Sequence, residues 1–457
     1  MNEPIFIARQ DTLEQEILPA QWLSHYKLFG EESYTFQDKE IWKRLCMSRA
    51  AANDRDMHAE ALEEMLTTFS AEHTGKWMLL IYGLDEAVLE GLATMAAIAA
   101  NGTAMAAVAG NALLMHAITN SQTAMQRVAN SATAMDAISG SKIARGAVQA
   151  SPYYNSYIKE NDMAIAKLAV GFANLASAGY SGMAGVAADA TAMNAVAASS
   201  VARNALSASP YYDATIKEND MAIAKLVVGF ANLESARYSG CAGMAADSTA
   251  MTAVAASSAA MTAIAVSAVA MNAIGGNSIA RDAISASSYY DANIKENDMA
   301  IAKLVVGFAN LESARYSGCA GMAADSTAMT AVAASSTAMT AVAASATAMG
   351  KIAAVDAALS KLAASTTAMD ALYARKKQMK GGSASKSGKF IILEISQSNA
   401  FNTSKYGYAT LSDGSKPDWS SYLAKYAFFQ KYPKYATYML NDTDSDDYIY
   451  YFDIASP

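Results

Sequence analysis

Met95, Met105, Met115, Met125 and Met135 stand ten residues apart, and each is followed three positions on by a branched aliphatic: Ile98, Val108, Ile118, Val128 and Ile138. A strict decapeptide period confines the chain to a quasi-one-dimensional architecture, in which each unit buries its apolar face only against neighbouring units. Arg145 takes the next Met position, and after a step of eighteen residues the register reads Met163, Met183, Met193 and Arg203. Second and third eighteen-residue steps lead to Met221, Met251, Met261, Met271 and Arg281, then to Met299, Met329, Met339, Met349, Leu359 and Met369.

A longer repeat is laid over the short one. Three cassettes open at Ser151, Ser209 and Ser287 with a Tyr-Tyr pair and continue Ile-Lys-Glu-Asn-Asp-Met-Ala-Ile-Ala-Lys-Leu from Ile158, Ile216 and Ile294. Their starts are 58 and then 78 residues apart, a difference of two whole decapeptides. The decapeptide is therefore a structural unit, because a partial insertion turns the buried stripe out of its seam.

Met, Ala and Leu favour helix, and the repeats lack the aromatics of strands. One unbroken helix is a poor solution: ten residues turn through about 1000°, so the Met stripe slips by roughly 80° per unit. Asn101-Gly102, Gly110-Asn111, Asn120-Ser121, Asn130-Ser131, Gly140-Ser141 and Gly275-Gly276-Asn277 fall between the Met-centred cores, with Asn or Gly suited to a C′ position and Ser or Thr to the next N-cap. Each decapeptide is read as a helix of about seven residues plus a tight turn, stable only when stacked. A long supercoiled helix is the alternative where breakers vanish, from Asp356 to Lys380. The fold class expected is mainly α: an elongated stack of short helices with a helical N-terminal head and a small α+β or β-rich C-terminal tip.

Four segments follow. Residues 1–90 form a head with helices over Gln37 to Ala51, Asp54 to Phe69 and Leu84 to Ala97; residues 91–380 form the shaft. Gly381 to Gly388 is a Gly/Ser hinge, and residues 389–457 are an aromatic-rich tip. In the tip Phe390 to Ser396 reads as a strand, Trp419 to Phe429 as a helix, and Ala436 to Leu440 with Tyr448 to Ile454 as a hairpin about an acidic turn.

The formal charge of −8, with acids and bases interspersed, argues against nucleic-acid binding. Cys46, Cys241 and Cys319 make no disulfide framework, and the last two stand where Met183 does in the first cassette. Met1 to Gln10 lacks the pattern of a secretory signal, and no apolar run is long enough to span a bilayer. Gly388-Lys389 departs from a phosphate-binding loop, with Ser383 in the place of its first Gly and Phe390 in the place of its Ser or Thr. His25, His58, His73 and His116 have no metal partners at usable spacing. Asp442, Asp444 and Asp446 alternate as calcium ligands do and Asp453 falls at the twelfth position, yet Asp447 stands where the loop needs Gly and the bidentate Glu is missing. No catalytic constellation, metal site or cofactor is expected.

The Met stripe, Met95, Met105, Met115, Met125, Met135, Met193, Met251, Met261, Met271, Met329, Met339, Met349 and Met369, is read as structural core. Arg145, Arg203 and Arg281 each close a run before a Tyr-Tyr pair, either snorkelling at the end of a stack or forming a corner with those tyrosines. Tyr406, Tyr408, Trp419 and Tyr422 are the candidates for exposed contact in the tip.

Ser-Thr-Ala-Met-Thr-Ala-Val-Ala-Ala-Ser units, as at Ser248 to Ser257 and Ser326 to Ser335, and the Gly388 to Ser398 opening of the tip resemble sequences of bacteriophage tail fibres. The resemblance covers well over half the chain through the repeat, and only a short stretch of the tip. It implies a virion tail component made in the bacterial host cytoplasm, usually a homotrimer. Its N-terminal region would dock on a tail or baseplate protein, and its C-terminal tip would bind a host-surface glycan or protein. Two alternatives remain at this point: an internal helical scaffold or tape-measure-like protein, and a surface-binding repeat such as an ice-binding shaft. The second calls for Thr in every unit, but Leu113 and Val269 interrupt the series of Thr103, Thr123, Thr133, Thr191, Thr249, Thr327, Thr337 and Thr347.

Overall fold

The computed structural model describes Leu79 and residues 84–92, 94–396, 407–419, 422–442 and 447–457. These are mainly helical, with a small antiparallel sheet at the C-terminus. The first two expected head helices lie outside the described residues. The third does not form as expected: a 3-10 turn at Glu86–Leu89 and a helix from Met95 replace it, interrupted at Gly91, whose φ is +75°.

The chain divides into two compact units, Met1–Ile216 and Lys217–Pro457. In the first, tandem helices are α1 (Met95–Ala100), α2 (Gly102–Ala109), α3 (Ala112–Thr119), α4 (Gln122–Ala129), α5 (Ala132–Gly140) and α6 (Lys142–Ala150). A π-helical segment at Tyr154–Lys159 leads to α7 (Asp162–Phe172), α8 (Met183–Ala188), α9 (Ala190–Ala198) and α10 (Ser200–Ser207). Each tandem helix packs on the third one before it: α4 on α1, α5 on α2, and α6 on α3.

The turns differ from the expected left-handed Asn or Gly. At Gly110-Asn111, Asn120-Ser121 and Asn130-Ser131 the first residue is the C-cap, with negative φ, and the second the N-cap; at Ser141, φ −105° and ψ 123°, one extended residue is both the C-cap of α5 and the N-cap of α6. Asn101, Asn111, Ser121, Ser131 and Ser141 each accept a backbone N–H from the following helix. The serines do more. The hydroxyls of Ser131, Ser141 and Ser151 donate to the carbonyls of Ala99, Ala109 and Thr119, each 32 residues earlier. One hydroxyl thus starts a helix and ties it to the preceding set of three. Left-handed Asn does occur, at Asn174, Asn232 and Asn310, where the long cassette helices end.

The cassettes also correct the repeat register. Asn161 caps α7, and the buried position four residues on is Ile165, while Met163 is only half-buried. Met221 and Met299 are likewise half-buried, beside fully buried Ile223 and Ile301. The step from Arg145 to Ile165 is therefore two whole units, and the eighteen-residue step falls after it, between Ile165 and Met183. Residues 173–182, a loop rather than a helix, absorb the missing two.

The second unit repeats the scheme with α11 (Asp220–Phe230), α12 (Cys241–Ala246), α13 (Ser248–Ala255), α14 (Ser258–Val266), α15 (Ala268–Gly276), α16 (Ser278–Ser285), α17 (Tyr290–Asn293) and α18 (Asp298–Phe308). It continues through α19 (Cys319–Ala324), α20 (Ser326–Ala334), α21 (Ser336–Ala344), α22 (Ala346–Ala353), α23 (Asp356–Ala363) and α24 (Thr366–Ala374). Third-neighbour packing holds for α15 on α18, α18 on α21, α20 on α23 and α21 on α24. Consecutive axes bend by 102° from α13 to α14 and by 101° from α20 to α21. The alternative of one long helix from Asp356 fails at Ser365, which caps α24 and donates to the carbonyl of Ala333.

The sheet follows, with β1 (Lys377–Lys380), β2 (Ala384–Ser396), β3 (Gly407–Leu411), β4 (Asp418–Trp419), β5 (Ala436–Asn441) and β6 (Tyr448–Asp453) in the order β1-β6-β2-β5-β3-β4. A short helix, α25 (Ala427–Lys431), is all that forms of the helix expected over Trp419 to Phe429. The expected hairpin is also absent: β5 and β6 lie on either side of β2, which pairs with β5 over Ala384 to Ser387 and with β6 over Phe390 to Ser396. The thirteen residues of β2 are long enough to serve both.

The Gly/Ser hinge is not a loose joint. Gly382 and Ser383 adopt positive φ in a bend that begins at Gly381, and Ala384 to Gly388 belong to β2. On one face Ile391, Leu393, Tyr426, Phe429, Phe452 and Ile454 pack into the same core as Leu362, Met369 and Leu372. The seam carries polar ties as well: Tyr373 donates to Glu394, Tyr426 to Asp370, and Lys434 lies 2.6 Å from Asp356.

Candidate contact surface on the C-terminal sheet

Alternation along the strands sets what the sheet presents. In β3, Tyr408 and Thr410 alternate with buried Gly407, Ala409 and Leu411; in β5, Tyr438 and Leu440 are half-buried beside buried Met439 and Asn441. Register places Ser385, Leu440 and Tyr408 in one row across β2, β5 and β3, and Ser387, Tyr438 and Thr410 in the next. The Tyr408 and Tyr438 rings lie 5.7 Å apart, tilted by 38°. The result is a small face of two aromatic rings bordered by hydroxyls, with the exposed carboxylate of Asp418 in β4 opposite Tyr408.

Of the four residues singled out for contact, Tyr408 lies on this face and Tyr422 is 51% exposed. Tyr406 lies outside the described residues. Trp419 is a correction: it is buried, with its ring edge-on to Phe428 at 5.6 Å and against Gly407. A residue at the end of a two-residue strand, facing the side of the sheet that α25 covers, packs inward. Sequence reasoning missed Tyr438, although the alternation of Ala-Thr-Tyr-Met-Leu-Asn carries it once the strand register is known.

The repeat residues are all inside. Met95, Met105, Met115, Met125, Met135, Met193, Met251, Met261, Met271, Met329, Met339, Met349 and Met369 are at most 1% exposed. The run-closing arginines share one set of hydrogen-bond acceptors. Arg145, Arg203 and Arg281 donate to the carbonyls of Ser139, Ala197 and Gly275 in the last turn of the preceding helix. A guanidinium there meets the unpaired carbonyls and the negative end of the helix dipole. Burial lowers the pKa of all three. The ring that Arg281 covers is Phe308, not a tyrosine, at 5.7 Å.

A further tyrosine in each cassette, outside the Tyr-Tyr pair, binds a helix cap. Tyr180, Tyr238 and Tyr316 donate to Asp189, Asp247 and Asp325, whose other carboxylate oxygens cap α9, α13 and α20. Burial and the Asp189 partner push Tyr180 up to about 12. The carboxyl of Asp189 is held low by the Tyr180 hydroxyl and by backbone N–H donors. Cys241 and Cys319 are buried thiols whose pKa burial raises, consistent with packing rather than reactivity.

Among the described residues no group of His, Cys, Asp and Glu is placed to hold a metal ion. Asp453 instead lies 3.4 Å from Lys377. The Thr position of the repeat faces outward, but the run-closing units carry Ile143, Val201 and Ile279 there, 41–48% exposed, and these break any continuous Thr rank. Among the described residues no single helix is long and apolar enough to cross a membrane. No protein-family model matches the chain, and no curated protein matches it significantly.

Proposed function

We propose that the chain is a non-catalytic structural fibre subunit, an elongated solenoid of decapeptide helices with about three helices per turn, whose C-terminal sheet contacts a host-surface glycan or protein. The observation that carries this reading is the third-neighbour packing of capped helices, repeated wherever the decapeptides run in tandem. Such packing adds length without adding a central core, as suits a spacer between two attachment points. In this reading the N-terminal region docks on a virion tail or baseplate protein, and three copies associate as a homotrimer.

The Tyr408 and Tyr438 face is the contact surface. Large rigid rings supply contact area at low entropic cost, and the neighbouring hydroxyls supply orientation. Tyr408→Ala with Tyr438→Ala in the full-length chain is expected to weaken binding to host cells at least tenfold, equivalent to about 1.4 kcal/mol. Electron microscopy and solution mass should be unchanged. Undiminished binding by the folded double variant refutes the assignment, and a compact particle in the micrographs refutes the fibre.

A further inference from the structure

Each cassette buries a lysine that no part of the contact surface uses: Lys167, Lys225 and Lys303, at 2–3% exposure. In the third cassette Lys303 on α18 meets Asn272 on α15, its Nζ 2.6 Å from Asn272 Oδ1 and 3.2 Å from the Ser313 carbonyl. The helices are held backbone against backbone, because a Cβ at Gly307 would lie 2.2 Å from the Gly275 carbonyl oxygen. Ser313 Oγ closes the site by donating to the Asn272 carbonyl at 3.2 Å. The first cassette places a lysine in the same way but with Asp136 for Asn272, Ser139 for Gly275 and the Ser177 hydroxyl on the Asp136 carboxylate. Lys167 Nζ lies 2.7 Å from Asp136 Oδ1 and 3.0 Å from the Ser177 carbonyl.

We propose that Lys303 and Asn272 form an intrachain isopeptide bond that joins α18 covalently to α15, and that the Lys167 and Asp136 pair does not. The amine attacks Asn272 Cγ, making an Nζ–Cγ bond. The Cγ–Nδ2 bond then breaks, and Nδ2 leaves with the displaced protons. Starting from the protonated lysine, the products are one secondary amide and one ammonium ion, with no oxidant, reductant or co-reactant.

Three features favour the reaction. The carbonyl carbon is one C=O bond beyond Oδ1, so Nζ stands about 3–4 Å from it, close to the range of a near-attack arrangement. Burial lowers the Lys303 pKa, against the opposing field of Glu218, and so favours the nucleophilic neutral amine. Asn272 is only half-buried, which leaves its amide nitrogen a route to solvent. In the first cassette the partner is a carboxylate, 2.7 Å from Lys167 Nζ, which has no amide nitrogen to expel and a carbonyl carbon that resists attack by an amine.

The test is the mass of the full-length folded chain followed by denaturation, proteolysis and fragment sequencing. The expected result is an ammonia deficit in the intact mass, with a branched peptide joining the Asn272 and Lys303 segments and none joining Asp136 and Lys167. Lys303→Arg and Asn272→Asp should each restore an unbranched map. A chain of full sequence mass after prolonged incubation overturns the proposal, whether or not the variants fold. So does an ammonia deficit without the branched peptide, which marks an asparagine cyclised on its own backbone. The contact-surface reading is independent of this outcome.

Discussion

Ser267 tests whether the shared cap holds the helices together. It is fully buried between α14 and α15; its hydroxyl accepts the Ala270 N–H at 3.1 Å and donates to the Lys217 carbonyl at 2.6 Å. Ser267→Ala removes both bonds while changing the packed volume little. Loss of the N-cap costs about 1 kcal/mol, and loss of the hydrogen bond to the carbonyl about 1 kcal/mol more. The sum of about 2 kcal/mol corresponds to a roughly 30-fold faster opening-limited exchange of the protected amides in α15. Hydrogen exchange read by mass spectrometry suits a repeat protein better than a single melting curve, because repeats need not unfold in one step. The control is Ser258→Ala, at the exposed first position of α14, where a change within about 0.5 kcal/mol is expected. Equal protection of α15 in the two variants would refute the dual role assigned to the hydroxyl.

Gly318→Ala should destabilise the third cassette, since the added Cβ would meet the Asp298 carboxylate at 2.3 Å, whereas Gly321→Ala, with open space in α19, should be neutral or stabilise by up to about 1 kcal/mol; urea midpoints of the two variants decide it. Asp189, Asp247 and Asp325 have depressed folded-state pKa values, so their contribution is present above the ordinary carboxylate pKa and is lost as pH falls through the folded value. Denaturation midpoints should therefore hold from pH 7 to about pH 5 and drop below about pH 4, and Tyr238→Phe should shrink that drop; an unchanged acid limb counts against the tyrosine contacts. Deleting residues 377–457 should bare Leu362, Met369 and Leu372 and cause association or fraying of the last helices, detectable by light scattering and circular dichroism; a monodisperse remainder with unaltered melting would mean that the sheet does not close the helical core.

The sequence carries the helices themselves most legibly. Met every ten residues, with Ser, Asn or Asp four positions before it, specifies both the buried stripe and the cap, and this information is local. What it does not carry is which carbonyl the cap hydroxyl reaches, because that partner lies 27, 32 or 50 residues away and every unit offers an equivalent one. The cassette register misleads for a related reason. Met163 and Ile165 are both good helix-core residues, and only the Asn161 cap decides which faces inward. In the tip, Gly-Gly-Ser-Ala-Ser-Lys-Ser-Gly has the composition of a linker. Its strand character comes from pairing with Asn441, Leu440, Met439 and Tyr438, which no property of the segment itself announces. Trp419 shows the same limit, since aromatic content cannot separate an inward ring from an outward one until the sheet is assembled.

The serine hydroxyls that reach back 32 residues also determine how such a chain would yield under load. In the proposed solenoid, load on a tandem run would be borne first by its outermost set of three helices, whose ties to the set beneath can detach without disturbing the rest. Each detachment would release about thirty residues, a contour gain of roughly 100 Å at the reach of an extended chain. Extension would then proceed in even, reversible increments, absorbing work as a ratchet of small yields rather than in one rupture. A bond between Lys303 and Asn272 would interrupt that series at one place and fix how far the chain can pay out.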